Sequence, residues 1–393
     1  MANPYVKQYL MTAGPTPLPP AVSQAMAEPM LYHRAPAFVE VYERVLGRLR
    51  EVFGTAGEVL VFASSGTGAM ESAVANLVRS GEPALVASCG KFGERWVELC
   101  DAYGARTIHW ETEWGRQVDP AELDTQLAAS DGVELVFATL SETSTGVVND
   151  VRELAEVAHR HGALIVVDAV SGMGAVPCPQ DEWGLDVVVA GSQKALMAPP
   201  GLGFASPNAA ALERAAARPG GRYYLDWGRT AGGQRSDPPD SPFTPAVGLV
   251  QALDVALEMI ASEGLDQVYR RHALLGRATR AAAKALDLEL LGGERENANV
   301  VTAIALPEGV DGARVPKLMR DRFKVTIAGG QGRLKGRIAR IAHCGYFGPF
   351  DIVVTVAALE MTLRELGHEL ELGAGVAAVQ RVLEAGVPAG SPA

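Results

Sequence analysis

A single lysine stands just past an apolar run in "DVVVAGSQKALMAPPGLGF", residues 186–204, with no Asp or Glu between Val187 and Gly201. A free lysine amine, with a pKa of about 10.4, is protonated at neutral pH and a poor nucleophile. An apolar setting disfavours the ammonium form and lowers that pKa, which suits Lys194 to attack on a carbonyl carbon. Taken alone, such a lysine is more often a surface residue with its stem laid along apolar neighbours. In "ALIVVDAVSGMG" Asp168 closes another apolar run. An isolated aspartate there is commonly a cap or turn residue, whereas in a low-dielectric cleft it needs a cationic partner. In "FASSGTGAMESAV", residues 62–74, Ser65, Gly66 and Thr67 sit between a strand pattern and a helix pattern. Glycine lets the backbone approach a ligand closely, and the unbonded N–H groups of a helix start favour an anion. The loop has neither the lysine of a P-loop nor GxGxxG spacing, so nucleotide readings lose ground.

These groups can act together only if the fold gathers them at one edge. From about position 58, short apolar runs alternate with amphipathic ones. The strand candidates are "EVLVFA", "PALVAS", "RTIHW", "VELVFATL", "ALIVVDAV", "DVVVAGS" and "GLGFAS"; helix-like runs such as "GAMESAVANLVRS", "ERWVELCDAYG" and "DVRELAEVAHRHG" lie between them. Strands that are apolar throughout predict a parallel sheet covered on both faces, with ligands beyond the carboxyl ends of its strands. A Pro- and Gly-rich stretch, "RTAGGQRSDPPDSPFTPAV", interrupts the pattern after position 228, and two long helices are expected at 245–262 and 265–286. From Val300 onward "NVVTAIALPEG" and "GRIARIAHCGY" read as strands, while "GARVPKLMRDRF" and "FDIVVTVAALEMTLRELG" read as helices. The expected organisation is an N-terminal arm (1–20), a large α/β domain (21–264), a smaller α+β domain (265–385) and a disordered tail (386–393).

The net charge of −11 argues against nucleic acid, because neutralising phosphates needs clustered Lys and Arg. Four cysteines without paired spacing predict neither a disulfide framework nor a metal site, and a reducing compartment. No signal-like pattern or membrane-length apolar run is present, so a cytoplasmic location is expected.

An anion cradle, a carboxylate and an amine, each at a strand end of one sheet, match the three anchoring demands of pyridoxal 5′-phosphate (PLP): its phosphate, its ring nitrogen and its aldehyde. The motifs "SGTGAMESAV", "ETSTGVV", "VDAVSGMGA", "GSQKALMAPPGLG", "FTPAV" and "RIARIAHCGY" together resemble the class V aminotransferases of fold type I, in particular the alanine (serine)–glyoxylate and serine–pyruvate group. The likeness runs from "GPTPLPPAV" into the C-terminal domain.

The resemblance implies that Lys194 is the amine joined to the cofactor and that Asp168 pairs with the pyridine nitrogen. Phe92, in "GKFGERW", would stack on one ring face and Val170 would pack on the other. Thr143 would meet the phenolic oxygen. Ser65, Gly66, Thr67 and Gln193 would hold the phosphate, with Thr244 reaching in from a second subunit, so that a homodimer shares the site. Arg340 would bind the substrate carboxylate, whereas Arg333 and Arg337 read better as surface strand residues. Phe92 stands where some relatives carry a tryptophan, which keeps an aromatic face, and Ser241 where some carry a tyrosine, so the resemblance does not carry that tyrosine's phosphate contact over. "YHRAP" (32–36), with His33 and Arg34, is expected at the pocket mouth or a subunit contact, and His343 and Cys344 as wall or packing residues. The implied activity is a ping-pong transamination between a small amino acid, alanine or serine, and a small 2-oxo acid, glyoxylate or pyruvate. Three alternatives stay open: a PLP-dependent lyase or desulfurase, a non-catalytic hydrogenase-associated subunit, and an aminotransferase for aspartate, ureidoglycine or pyridoxamine.

Overall fold

The computed structural model describes residues 7–218, 220–293 and 298–386. The expected tail beyond Gly386 lies outside the described residues. All seven apolar runs form strands of one sheet: β1 (Leu60–Phe62), β2 (Pro83–Ser88), β3 (Arg106–Glu111), β4 (Leu135–Thr139), β5 (Leu164–Asp168), β6 (Val187–Gly191) and β7 (Gly203–Pro207). Their order is β1-β7-β6-β5-β4-β2-β3. The sheet is mostly parallel, as expected; β7 runs antiparallel to both β1 and β6. A parallel return needs a long crossover, and no helix intervenes between Gly191 and Gly203.

Successive residues of a strand point to opposite faces, so a strand covered on both sides must be apolar throughout. In β2, Leu85 and Ala87 join one core with helices α1 (Pro36–Phe53), α4 (Val151–Arg160) and α5 (Val247–Glu263). Ala84 and Val86 join a second core with α2 (Gly66–Leu77) and α3 (Lys91–Ala102). The sheet is therefore sandwiched, which makes its carboxyl edge the place where polar groups can gather.

After α6 (Leu265–Ala285), strands β8 (Val301–Ala305), β9 (Ala328–Gly329) and β10 (Ile338–Ala342) form a small antiparallel sheet ordered β8-β10-β9. It shares a third core with α6 and α7 (Pro349–Glu365). The N-terminal segment is tied to this part, since Tyr9–Leu10 pairs in parallel with Val325–Thr326.

Three local expectations change. Residues Trp227–Gln234 form a helix that runs into the Pro- and Gly-rich stretch. Asp226 caps it at the Arg229 N–H (2.8 Å), and the buried Trp227 donates to Ser72 Oγ (3.2 Å). Packing thus overrides the poor helix propensity of three glycines. The run "GARVPKLMRDRF" is helical only over Arg314–Leu318 before widening to a π-turn over Met319–Phe323. A helix at Ala374–Gly386, which the sequence pattern did not suggest, starts where buried Glu360 accepts the amides of Gly373, Gly375 and Val376.

Two buried imidazoles pack where the small sheet meets the rest of the chain, and His272 bridges the two parts. His272 Nε2 accepts the Gly345 N–H (3.0 Å) while its Nδ1 faces the Ala175 carbonyl (3.3 Å). His343 Nε2 meets Thr302 Oγ1 at 3.0 Å. Burial holds both down to about 3, so they stay neutral in the fold. Their unfolded pKa is near 6.5, and between these values the unfolded chain binds more protons; their contribution is lost as pH falls below 6.5. Asp168, pushed by burial up to about 6, acts in the opposite sense below pH 6 but is one group against two. Urea unfolding is expected to show a loss of about 2 kcal/mol between pH 7.5 and 5.5, and a smaller loss in His343→Asn.

Candidate functional site

The chemistry-bearing residues meet at the carboxyl edge of the large sheet. Asp168 is the last residue of β5, Lys194 follows β6, Gly66 and Thr67 open α2 after β1, and Phe92 lies in the first turn of α3 after β2. With Ser65, Val170 and Gln193 these residues line one pocket of about 420 Å³. Eight of the expected site residues are thereby brought together.

Lys194 is buried, and its Nζ donates to the Ala13 carbonyl. Among the described residues no carboxylate lies within 4.0 Å of that nitrogen. Burial lowers its pKa, and the more distant Asp168 and Cys344 counteract only in part. The Phe92 ring centroid is 5.9 Å from Nζ. The N-terminal segment closes over the lysine: Thr16 Oγ1 donates to the Lys194 carbonyl (2.9 Å) and the Thr16 N–H to that of Gln193 (3.1 Å).

Asp168 is equally isolated. One carboxylate oxygen accepts the Val170 N–H at 2.8 Å, and no cationic side chain forms an ion pair with it among the described residues. Burial therefore dominates and pushes the carboxyl up to about 6. A cation placed beside it would relieve that penalty.

At the start of α2 the Ser65 hydroxyl caps the Gly68 N–H (3.3 Å), so this side chain already serves the helix. The amides of Gly66 and Thr67 meet no acceptor among the described residues and are available to an anion. Gly66 is required for close approach, because a Cβ there would stand 2.8 Å from both methyls of Val170.

Arg340 in β10 is buried, with Nε donating to the Gly329 carbonyl (2.9 Å) and Nη1 to that of Thr143 (2.7 Å). It has no acid partner among the described residues. It does not line the 420 Å³ pocket, yet its charge reaches Lys194 and depresses the amine further. Thr143 is buried beside the pocket and not in its lining. Thr244 is exposed and borders a separate pocket of about 400 Å³ with Tyr42 and Ser241. His33 and Arg34 do not line the lysine pocket, and His343 and Cys344 are packed in the interior. Arg333 and Arg337 lie outside β10: Arg333 sits in a turn paired with Glu111 and Glu94, and Arg337 is exposed just before the strand.

Sequence reading missed Arg95, Met70 and Ser171 in the lining, the Ala13–Thr16 segment over Lys194, and Glu142 behind Phe92. Arg95 had a readable signal, being one helical turn after Phe92, and its guanidinium lies 4.9 Å from that ring's centroid. The Ala13–Thr16 contact spans most of the large sheet in sequence and had none.

A sandwiched, mostly parallel sheet with an amine, a carboxylate and an anion cradle at one edge defines the fold type I architecture of PLP-dependent enzymes. Residues 8–338 match the class-V aminotransferase family, and the chain belongs to it; it is a PLP-dependent aminotransferase. It is 44% identical over 386 residues to a protein of Synechococcus sp. (strain PCC 6716) named soluble hydrogenase, small subunit, covering 96% of this chain and 98% of that one. It is 35% identical to the serine–glyoxylate aminotransferase of Methylorubrum extorquens, covering 96% of each. The solved ureidoglycine–glyoxylate aminotransferase of Bacillus subtilis superimposes with a TM-score of 0.92 at 28% identity, covering 98% of this chain and 100% of that one.

Gly14, at φ +133°, is pressed against the lysine: a Cβ would lie 2.3 to 2.4 Å from Lys194 Cε, Cδ and Nζ. Gly14→Ala is expected to displace the amine and lower kcat/KM about 100-fold while costing about 1–2 kcal/mol of stability. Steady-state kinetics and a melting curve on the same sample check both.

Proposed function

We propose that the chain transfers an amino group from a small amino acid, alanine or serine, to a small 2-oxo acid, glyoxylate or pyruvate. The observation that carries this reading is the buried amine of Lys194 sharing a pocket with the buried carboxylate of Asp168, neither of them in an ion pair among the described residues. When bound, PLP supplies an aldehyde and a ring that takes up the electron pair left at the substrate α-carbon. Lys194 would hold the cofactor, and its Nζ would carry the α-proton as general base and then acid. Its depressed pKa favours the neutral form that this role needs.

Asp168 meets the ring nitrogen and keeps it protonated. Phe92 and Val170 flank the ring, Thr143 faces the phenolic oxygen, and Ser65, Gly66, Thr67 and Gln193 hold the phosphate. Thr244 completes the phosphate site from a second copy of the chain, which makes a homodimer the active unit; its exposure and its distance from its own lysine pocket support this. Arg340 grips the substrate carboxylate, which the absence, among the described residues, of any acid paired with its buried guanidinium supports. Glyoxylate as acceptor is supported by the relatives named for it. A cytoplasmic location and small anionic substrates, without nucleic acid, complete the reading.

Borohydride treatment of the cofactor-loaded protein, followed by peptide mapping, is expected to label Lys194; a label on another residue overturns the assignment. Lys194→Ala is expected to abolish turnover with the circular dichroism spectrum unchanged. Arg340→Ala is expected to raise KM for alanine and glyoxylate about 100-fold, the equivalent of one charge-assisted bidentate contact. Unchanged KM values would remove Arg340 from the clamp. A donor-by-acceptor panel then separates alanine and serine from aspartate, ureidoglycine and pyridoxamine.

A further inference from the structure

We propose that Glu142 is a positioning residue that locks the ring-stacking helix α3 and the Arg340 clamp into one frame, an inference that rests on the PLP reading of the pocket. Glu142 is fully buried, and no basic side chain forms an ion pair with it among the described residues. Four donors converge on its carboxylate instead. Oε2 accepts the N–H groups of Phe92 and Gly93, both at 2.9 Å. Oε1 accepts the Ser144 N–H at 3.0 Å and the Ser144 hydroxyl at 2.6 Å. That hydroxyl oxygen in turn accepts the Lys91 N–H at 3.0 Å.

The first three amides of α3 are thus met from residues 142 and 144 rather than from the helix's own cap. Gly90 holds the N-cap position and has no side chain to offer. Nor could it carry one, because a Cβ there would sit 2.4 Å from Glu142 Cγ and 2.5 Å from Ser144 Oγ. Between the two capping residues, Thr143 gives its carbonyl to Arg340 Nη1 at 2.7 Å. Three consecutive residues therefore hold Phe92 on one side and Arg340 on the other. Burial lowers the pKa of Arg340, and the charge of Glu142 counteracts that in part.

A carboxylate can accept on both oxygens, whereas a glutamine of the same shape presents one acceptor and one NH2 group. Glu142→Gln must turn that NH2 toward either the α3 amides or Ser144, and leaves donors facing a donor.

The test compares wild type, Glu142→Gln, Glu142→Ala and Glu98→Gln, the last an exposed glutamate on the outer side of α3. Amide hydrogen exchange at residues 91–93 is read on the cofactor-free protein, PLP affinity by its visible absorbance on titration, and KM and kcat for alanine and glyoxylate on the loaded enzyme. Both Glu142 variants are expected to exchange faster at 91–93, to bind PLP about tenfold more weakly, and to show KM raised more than kcat is lowered, while Glu98→Gln matches wild type. Unchanged exchange and affinity overturn the proposal. Faster exchange with wild-type PLP affinity and KM also overturns it, because Glu142 would then serve the helix and not the site. If Glu142→Ala does not fold, Glu142→Gln decides. Failure of the wild type to bind PLP would instead strike the reading beneath it.

Discussion

The site depends on keeping two buried opposite charges from neutralising each other. Lys194 and Asp168 line the same pocket, and in an interior of low dielectric an ion pair between them would be the cheapest arrangement. The fold forbids it. Their carboxyl-end positions on adjacent strands β5 and β6 set the backbones side by side, but Asp168 is held by the Val170 amide and Lys194 by the Ala13 carbonyl. Each charge is left under-compensated and its pKa moves toward the neutral form. In the proposed reading, an aldehyde and a protonated ring nitrogen brought in by one molecule would answer both needs at once.

Holding that arrangement draws on parts of the chain far apart in sequence. The strand ends deliver Asp168, Lys194 and the α2 start along one edge, and the two-sided core makes that edge rigid. The N-terminal segment, anchored to the C-terminal part through Tyr9–Leu10, crosses over the lysine. The His343–Gly345 segment after β10 reaches the same place from the other side, since a Cβ on Gly345 would meet the Lys194 carbonyl oxygen at 3.2 Å. Residues 142–144 then join the ring-facing helix to Arg340. The N-terminal segment, the strand ends and Arg340 therefore share backbone contacts, and movement of the small sheet would be felt at the amine.

What the sequence made legible follows the range of the forces involved. Apolar strands and amphipathic helices are local patterns, and all seven strands of the large sheet stand where those patterns put them. Lys194, Asp168 and the Ser65–Thr67 loop carry local signals too: an isolated charge after an apolar run, and small residues at a helix start. The direction of β7 was not legible, because pairing polarity depends on how the chain returns and not on the strand's own residues. Helix Trp227–Gln234 was hidden for a related reason, its stability coming from Trp227 buried against Ser72. Glu142 looked like one polar residue in "SETSTGVV", and its role exists only because the Gly90 end of α3 lies against it. Thr244, read as a contact to a second subunit, is exposed and borders a pocket separate from that of Lys194.

The alternative chemistries fail on the same ground on which the aminotransferase reading stands, the protonation state that burial imposes. A desulfurase needs an accessible thiolate, and all four cysteines are buried, with burial pushing the thiols of Cys344, Cys178 and Cys100 up to about 11, 12 and 12. The likeness to a protein named as a hydrogenase subunit raises a different possibility, that the fold serves only to bind. A binding scaffold gains nothing from burying Lys194, Asp168 and Arg340 without ionic partners, since each carries a desolvation cost that an apolar residue of similar size would remove. Under the proposed reading these three costs have one account: a ring nitrogen would pair with Asp168, an aldehyde would react with the neutral amine of Lys194, and a substrate carboxylate would pair with Arg340.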